Sequence, residues 1–154
     1  ATNVIAGTKE GANVLLFDYQ YVTGSGKNRQ THNFNCCLVQ VGMRFPYLWI
    51  RKETFFDKIA SVVGLNDIDF ESHEFSKKFY VKSDNKKFAY EVINQQMMNF
   101  LLKASEKPYI EIRHDCCLFY FRFRWNVDVY RYLHDFAFGF LAKIPDFVLE
   151  KYRA

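Results

Sequence analysis

Two long runs of strand-forming residues, joined by a glycine-containing turn, constrain the fold of this chain more than any other feature. The first run, residues 14–22, is rich in β-branched and aromatic residues, and the second spans residues 29–41. Between them, Gly24 and Gly26 can adopt the positive φ angles that a tight turn needs. The pattern predicts a long β-hairpin, so the fold has to contain an antiparallel sheet.

Further strand patterns follow this hairpin. Pro46 introduces an extended segment at residues 47–51. A second hairpin is predicted from residues 109–113 and 116–125, with residues 114–115 at its turn. Alternate aromatic side chains in its second strand predict that one face is buried. Together with a short strand near the start of the chain, these patterns predict roughly six to eight strands.

Helical spacing of apolar residues marks three other regions. A short helix is predicted at residues 54–64, where Gly64 provides a stop signal. A second helical region follows residues 83–85 and runs to residue 102, and the polar residues 94–96 either kink it or split it. A C-terminal helix ends before Pro145, which suits the first turn of a further helix.

The central stretch, residues 67–102, is interpreted as a strand pair followed by a helix. Within it, residues 74–90 read E-F-S-K-K-F-Y-V-K-S-D-N-K-K-F-A-Y. This segment resembles a pattern of bacterial domains of unknown function, often in longer chains with membrane segments. Residues 17–21 and 68–73, which precede this segment, also look like the pattern, and with them the resemblance covers roughly residues 11–103. It implies a shared fold, and it brings no catalytic residue, cofactor or activity.

Length and composition indicate a globular chain. With 154 residues, an apolar fraction of 49% and a charged fraction of 25%, the chain is expected to form a single domain. The first residue is Ala1, so this domain is interpreted as a possible piece of a longer chain. The predicted fold class is α+β: a curved antiparallel sheet or partial barrel with covering helices and a C-terminal helix.

Charge and hydropathy limit the partners that we expect. The net charge of +4 is mild and its basic residues are spread along the chain, which argues against nucleic acid. No apolar run approaches the length of a membrane span, so membrane contact is expected only through parts outside this chain. We expect a cytoplasmic protein, or the cytoplasmic domain of a membrane-associated protein.

The densest group of basic residues lies in the central stretch and is a candidate patch for an acidic partner. It consists of Lys77, Lys78, Lys82, Lys86 and Lys87. The alternative is that these lysines lie at a solvent-exposed edge of the sheet, where lysine commonly prevents pairing with a strand of another chain.

The four cysteines form two adjacent pairs, Cys36-Cys37 and Cys116-Cys117, and His32 and His114 precede them. These residue types suit zinc or a thiolate nucleophile. The spacing of the cysteines does not suit either kind of site, because adjacent residues on a strand point to opposite faces. The cysteines are therefore interpreted as small buried apolar residues, and neither a metal nor a cofactor is predicted.

The sequence contains no phosphate-binding glycine loop, no G-x-S-x-G and no H-E-x-x-H motif. We therefore expect a non-enzymatic interaction domain that binds a protein partner. The alternative is a domain that binds a small ligand or a lipid head group, with aromatic residues in its pocket and lysines at the mouth. A Cys/His metal protein or enzyme is the remote alternative. The sequence specifies neither the partner nor the oligomeric state.

Overall fold

A computed structural model describes residues 1–53, 68–122 and 127–154 of the chain. Its strands are β1 (Thr2–Lys9), β2 (Ala12–Thr23), β3 (Gln30–Lys52), β4 (Phe79–Ser83) and β5 (Tyr109–Phe121). Its helices are α1 (His73–Lys78), α2 (Lys86–Val92), α3 (Gln95–Lys103), α4 (Val127–Leu141) and α5 (Asp146–Lys151), with a 3-10 turn at Gly26–Asn28. The helix predicted at residues 54–64 lies outside the described residues.

The strands of the described residues form one open antiparallel sheet of five strands. The order is β1-β2-β3-β4, and β5 pairs with β3. Glu10 and Gly11 join β1 to β2 with φ angles of 53° and 80°, the left-handed values of a two-residue hairpin turn. The predicted long hairpin is the β2–β3 pair, from Asn13 opposite Gln40 to Thr23 opposite Gln30. The α+β class, the antiparallel sheet and the C-terminal helix are confirmed.

Strand β5 folds back on itself. An unbent strand of 13 residues would hold its ends roughly 40 Å apart. The rings of Tyr109 and Tyr120, near the two ends, instead stack with centroids 5.0 Å apart. His114 lies between them with a φ of 54°, and this left-handed residue reverses the strand. The reversal falls where the sequence predicts a hairpin turn.

Strand β3 bends around this reversal. Its residues 35–40 pair with residues 116–121, and its residues 48–50 pair with residues 110–112. The register shifts between these two ladders, and Gly42 supplies a φ of 55° there. The two arms of β3 therefore enclose the two arms of β5. The described residues form five strands, against the six to eight predicted for the chain, because the arms of β3 and of β5 were predicted as separate strands.

The two faces of the sheet differ. The helices of the described residues pack on one face, where Phe119 of β5 meets Phe136 and Phe140 of α4. On the same face, Phe45 of β3 contacts Phe88 of α2. The other face carries Tyr19, Tyr21, His32, Phe34, Tyr109 and Tyr120, which we call the aromatic face. The buried aromatic row predicted for β5 is confirmed at Phe119 and Phe121.

The central stretch differs from its predicted form. The interpretation as a strand pair is wrong, because α1 occupies the place of the first strand. The Ser72 hydroxyl accepts a hydrogen bond from the Phe75 amide at 3.3 Å, which caps α1. The helical turn places Phe75 in the core, fully buried against Phe79. The second strand of the predicted pair is β4, with Phe79 and Val81 buried.

Short polar side chains begin the next two helices. Asn85 accepts a hydrogen bond from the Phe88 amide at 3.0 Å, and Asn94 accepts one from Met97 at 3.0 Å. Asn94 thus caps α3 and splits the predicted helix, which was one of two open alternatives. At the C-terminus, Pro145 precedes α5 as predicted.

Candidate functional site

A cavity of about 530 Å³ lies at one end of the sheet. We call it the basic cavity. It is lined by Lys52, Lys78, Ser105, Glu106, Lys107, Tyr109, Phe121 and Arg122. Among the lining residues that the structure describes, four side chains are cationic and Glu106 carries the one carboxylate.

Strand pairing brings two of the lysines to the cavity. Lys52 ends β3 and lies opposite Phe79 of β4, so Lys78 is one residue from the ladder partner of Lys52. The backbone amide of Glu53 donates a hydrogen bond to the Lys78 carbonyl at 2.9 Å, which joins the end of β3 to the end of α1. Lys52 and Lys78 therefore extend from a strand and a helix whose ends are joined by a backbone hydrogen bond.

The fold-back of β5 brings the remaining groups together. Tyr109 begins this strand, and Arg122 follows its last residue. The Arg122 guanidinium carbon lies 5.0 Å from the centre of the Tyr109 ring, which is a cation–π contact. If β5 were straight, the two residues would lie at opposite ends of the sheet.

The loop between α3 and β5 forms another wall. The Tyr132 hydroxyl of α4 donates a hydrogen bond to the Glu106 carbonyl at 2.6 Å and accepts one from the Glu106 amide at 3.1 Å. Lys107 donates a hydrogen bond to the Ala104 carbonyl at 2.8 Å. These hydrogen bonds fix the backbone of the loop. The side-chain carboxylate of Glu106 takes no part in them.

Glu74 modulates the charge of the cavity. Its carboxylate accepts a hydrogen bond from Lys78 at 2.8 Å, one helical turn away. This hydrogen bond and the charge of Lys78 lower the pKa of Glu74, so the carboxylate stays ionised. Both side chains are exposed, and the pair offsets part of the positive charge that Lys78 brings.

The five lysines of the candidate basic patch do not gather in this cavity. Lys78 lines it, whereas Lys82 projects from β4 opposite Trp49. Lys77 is exposed on α1, and Lys86 and Lys87 are exposed at the start of α2.

Lys52, Lys107 and Arg122 were missed because they lie far apart in the sequence and belong to no basic run. The signal available was position for Lys52 and Lys107, which lie just outside the predicted strands 47–51 and 109–113, whereas Arg122 lies within the predicted strand 116–125. The predicted hairpin of residues 109–113 and 116–125 already brings the ends of β5 together, but no sequence pattern indicates that Lys52 and Lys78 lie beside them.

The cysteines and histidines do not converge. Cys37 lies opposite Phe119, and Cys116 lies opposite Gln40. Cys36 is four ladder positions from Cys116, a separation of roughly 13 Å along the strand. His32 lies opposite Tyr21, a similar distance beyond Cys36. In the part of the chain that the structure describes, no group of three His, Cys, Asp or Glu side chains could hold a metal ion.

The thiols are also poor nucleophiles. Burial, and then the charge of Asp18, raises the pKa of Cys36 to about 12. Burial, and then the neighbouring Cys36, raises the pKa of Cys37 to about 12. Burial also raises the pKa of Cys117 and of the half-buried Cys116. All four are free thiols that stay protonated near neutral pH.

Searches of protein-family models, of curated proteins and of solved structures found no match to this chain. Within the described residues, no helix has the length and apolar character that crossing a membrane requires.

Proposed function

We propose that this chain is a non-catalytic binding domain that holds a phosphate-bearing ligand in the basic cavity. The observation that carries this proposal is the set of four cationic side chains around one cavity, with a single carboxylate among the lining residues that the structure describes. Lysine and arginine are the side chains that bind phosphate, through charge-assisted hydrogen bonds. The volume of about 530 Å³ is typical of a site for a small molecule.

The cavity also has an aromatic wall. Tyr109 is half-buried and stacks on Tyr120, and the buried Phe121 also lines the cavity. A wall of this kind favours a ligand with a flat or apolar part next to its phosphate. The proposal therefore takes up the alternative prediction of a small-ligand domain with aromatic residues in its pocket.

The chemistry of the lining residues supports binding rather than turnover. The described lining includes no cysteine and no histidine, and Glu106 has no second carboxylate beside it there. General acid–base catalysis by paired carboxylates therefore has no partner group in this lining.

The state of the cysteines supports a reducing compartment. All four cysteines are free, as is usual for proteins of the cytosol. We place the domain in the cytoplasm, either free or as the cytoplasmic part of a membrane-associated protein. The exposed aromatic rings of the sheet support a second candidate function, a surface for a macromolecular partner.

Calorimetric titration with inorganic pyrophosphate tests the proposal. We expect binding that weakens with added salt, because screening reduces attraction between exposed charges. Replacing Lys52 or Arg122 with glutamine should weaken the affinity by about ten-fold or more, since each substitution removes a charge-assisted hydrogen bond.

Lys77→Gln is the matched control, because Lys77 is an exposed neighbour of Lys78 that does not line the cavity. Equal losses for Lys77→Gln and Lys52→Gln would show that binding is non-specific and would overturn the proposal. Vesicles that contain a phosphoinositide, compared with the soluble inositol phosphate, distinguish a membrane-held phosphate from a free one.

A further inference from the structure

A second cavity, of about 500 Å³, adjoins the basic cavity and lies between α3 and α4. Ser105, in the loop between α3 and β5, lines both cavities. A third cavity, of about 470 Å³, continues along α3 and shares Phe100 and Ala104 with the second. We call the second and third cavities together the α3–α4 groove. The groove therefore runs on directly from the site proposed for the phosphate.

Apolar side chains form the floor of the α3–α4 groove. Phe100 of α3 packs on Phe136 of α4 with ring centroids 5.1 Å apart, and Phe136 packs on Tyr132 at 6.0 Å. The Phe100 ring can approach α4 because Gly139 has no side chain, since a Cβ at that position would lie 3.0 Å from Cε2 of the ring. Phe100 and Tyr132 are only half-buried. The floor can therefore bury an apolar side chain of a ligand.

Charged side chains border this floor. Asp128, Arg131 and Asp135 of α4 are exposed along the second cavity, so its described lining carries two carboxylates and one guanidinium. Asp135 also contacts His134 at 3.0 Å, and the imidazole offsets the negative charge only when it is protonated. The sign of the charge therefore changes between the basic cavity, with its four cationic side chains, and the adjoining part of the groove.

We infer that the phosphate in the basic cavity belongs to a phosphorylated side chain of a protein partner, and that the neighbouring residues of this partner lie in the α3–α4 groove. The inference rests on the proposed function and names its ligand class. An apolar side chain of the partner covers Phe100, and a lysine or arginine of the partner pairs with Asp135. Binding of a phosphorylated segment by clustered cationic side chains is a recurring mode of peptide recognition.

The polar groups of the groove favour a peptide over the acyl chain of a phospholipid. An acyl chain has no group that can pair with Arg131 or Asp135. A peptide has charged side chains for these two residues, and its backbone carries both donors and acceptors. At the far end of the groove, the side-chain amides of Gln96 and Asn99 also donate and accept hydrogen bonds. The groove therefore matches a peptide in its polar groups as well as in its apolar floor.

Oriented peptide libraries test the inference. One library is centred on phosphoserine and the other on phosphotyrosine, each with randomised residues on both sides, and the immobilised protein selects from them and from unphosphorylated counterparts. Three residues of extended chain span roughly 10 Å, so about three randomised positions on each side reach a cavity that shares a wall with the basic cavity.

We expect at least one phosphorylated library to be enriched about three-fold or more in an apolar residue at one position and in lysine or arginine at another. This enrichment is the scale of one partly buried side chain and one exposed ion pair. Enrichment at no position, or the same enrichment without the phosphate, would overturn the inference.

Variants in the groove show whether it sets the preference. Asp135→Lys should replace the preference for a basic residue with one for an acidic residue. Glu150→Lys is the control, because it reverses an exposed carboxylate of α5 that lies outside the described lining of the groove. An unchanged preference in Asp135→Lys, or the same change in Glu150→Lys, would overturn the inference.

A longer polar side chain on the floor should weaken peptide binding. We expect Ala104→Gln to reduce the affinity for the selected peptide by about five-fold or more, because the new side chain occupies the space of the apolar contact. Ala142→Gln is the matched control, since Ala142 is exposed and does not line the groove. Equal losses in the two variants would contradict a role for the groove.

Pyrophosphate and lysophosphatidic acid separate this inference from the proposed function. If pyrophosphate binds in the basic cavity but neither library is selected, the inference fails and the proposed function stands. If neither pyrophosphate nor any phosphorylated peptide binds, both fail. Binding of lysophosphatidic acid without selection of any peptide would assign the groove to an acyl chain and overturn the inference.

Discussion

The side-chain amide of Asn35 donates a hydrogen bond to the Asp18 carboxylate at 2.9 Å, and both residues are buried. They face each other across the β2–β3 ladder. The carboxylate also accepts hydrogen bonds from Asn3, at 2.8 Å, and from the hydroxyl of Tyr130 in α4. One buried carboxylate thus joins β1, β2, β3 and the longest described helix.

Removing the hydroxyl of Tyr130 should destabilise the protein. We expect Tyr130→Phe to lower the free energy of unfolding by about 1–3 kcal/mol, because the buried Asp18 carboxylate loses one of its donors. Urea unfolding measures this change. Tyr90→Phe is the matched control, since the exposed Tyr90 hydroxyl donates to the carbonyl of Asp69 and should matter less. Equal effects of the two variants would contradict the role of Asp18.

Adjacent residues of β5 test the difference between the two faces. Phe119 is fully buried under α4, whereas Tyr120 lies on the aromatic face. Phe119→Ala should lower the free energy of unfolding by about 3–5 kcal/mol. Tyr120→Ala should lower the free energy of unfolding clearly less than Phe119→Ala does, because no described helix covers the Tyr120 ring. If the Tyr120→Ala loss matched that of Phe119→Ala, the described sheet would be covered on both faces.

Stability should fall at alkaline pH because of the buried thiols. Burial raises the pKa values of Cys36 and Cys37 from 9.0 to about 12, so the unfolded chain loses these protons at a lower pH than the folded chain. The contribution of the two protonated thiols to the free energy of unfolding is therefore complete below about pH 9, and it is lost as the pH rises toward about 12.

Urea unfolding from about pH 8 to about pH 11 measures this loss, and a Cys36→Ala/Cys37→Ala variant should show a shallower decline than the parent protein. Cys116→Ala is the control, because this thiol is only half-buried. A decline of the same slope in the double variant and the parent would show that other groups are responsible.

Removing the carboxylate of Glu74 should strengthen anion binding. Glu74→Gln eliminates the negative charge beside Lys78, so the affinity for pyrophosphate should rise by about two- to five-fold at low salt. Isothermal titration calorimetry measures this. Glu71→Gln, an exposed residue three positions earlier that precedes α1, is the comparison. An unchanged or lower affinity in Glu74→Gln would mean that Lys78 does not contact the ligand.

Much of the fold is predictable from local chemistry. Gly24 and Gly26 mark the turn of the β2–β3 hairpin, and alternation along Phe79 and Val81 identifies β4. The polar residues 94–96 mark an interruption of the helical pattern, and the structure places the cap of α3 there at Asn94. These features depend on a few neighbouring residues, which the sequence displays directly.

The tertiary arrangement depends on contacts between residues far apart in the chain, and these contacts are harder to predict from the sequence. The hairpin turn predicted at residues 114–115 implies that Tyr109 and Arg122 come together, but no sequence pattern indicates that Lys52 and Lys78 reach the same end of the sheet. Residues 73–78 form a helix because Ser72 caps them and Phe75 enters the core, a tertiary preference that overrides strand propensity. The basic cavity was missed because pairing between segments far apart in the chain brings Lys52 and Lys78 to the ends of β5.

The most direct test of the account is to locate the anion on the protein. Amide ¹H–¹⁵N spectra recorded during a pyrophosphate titration should show saturable shifts at Lys52, at residues 105–107 and at Arg122. Lys77, Lys86 and Lys87 should remain unchanged, because none of them lines the cavity. Shifts centred on those three lysines, or spread over all exposed lysines, would contradict the assignment of the basic cavity as the binding site.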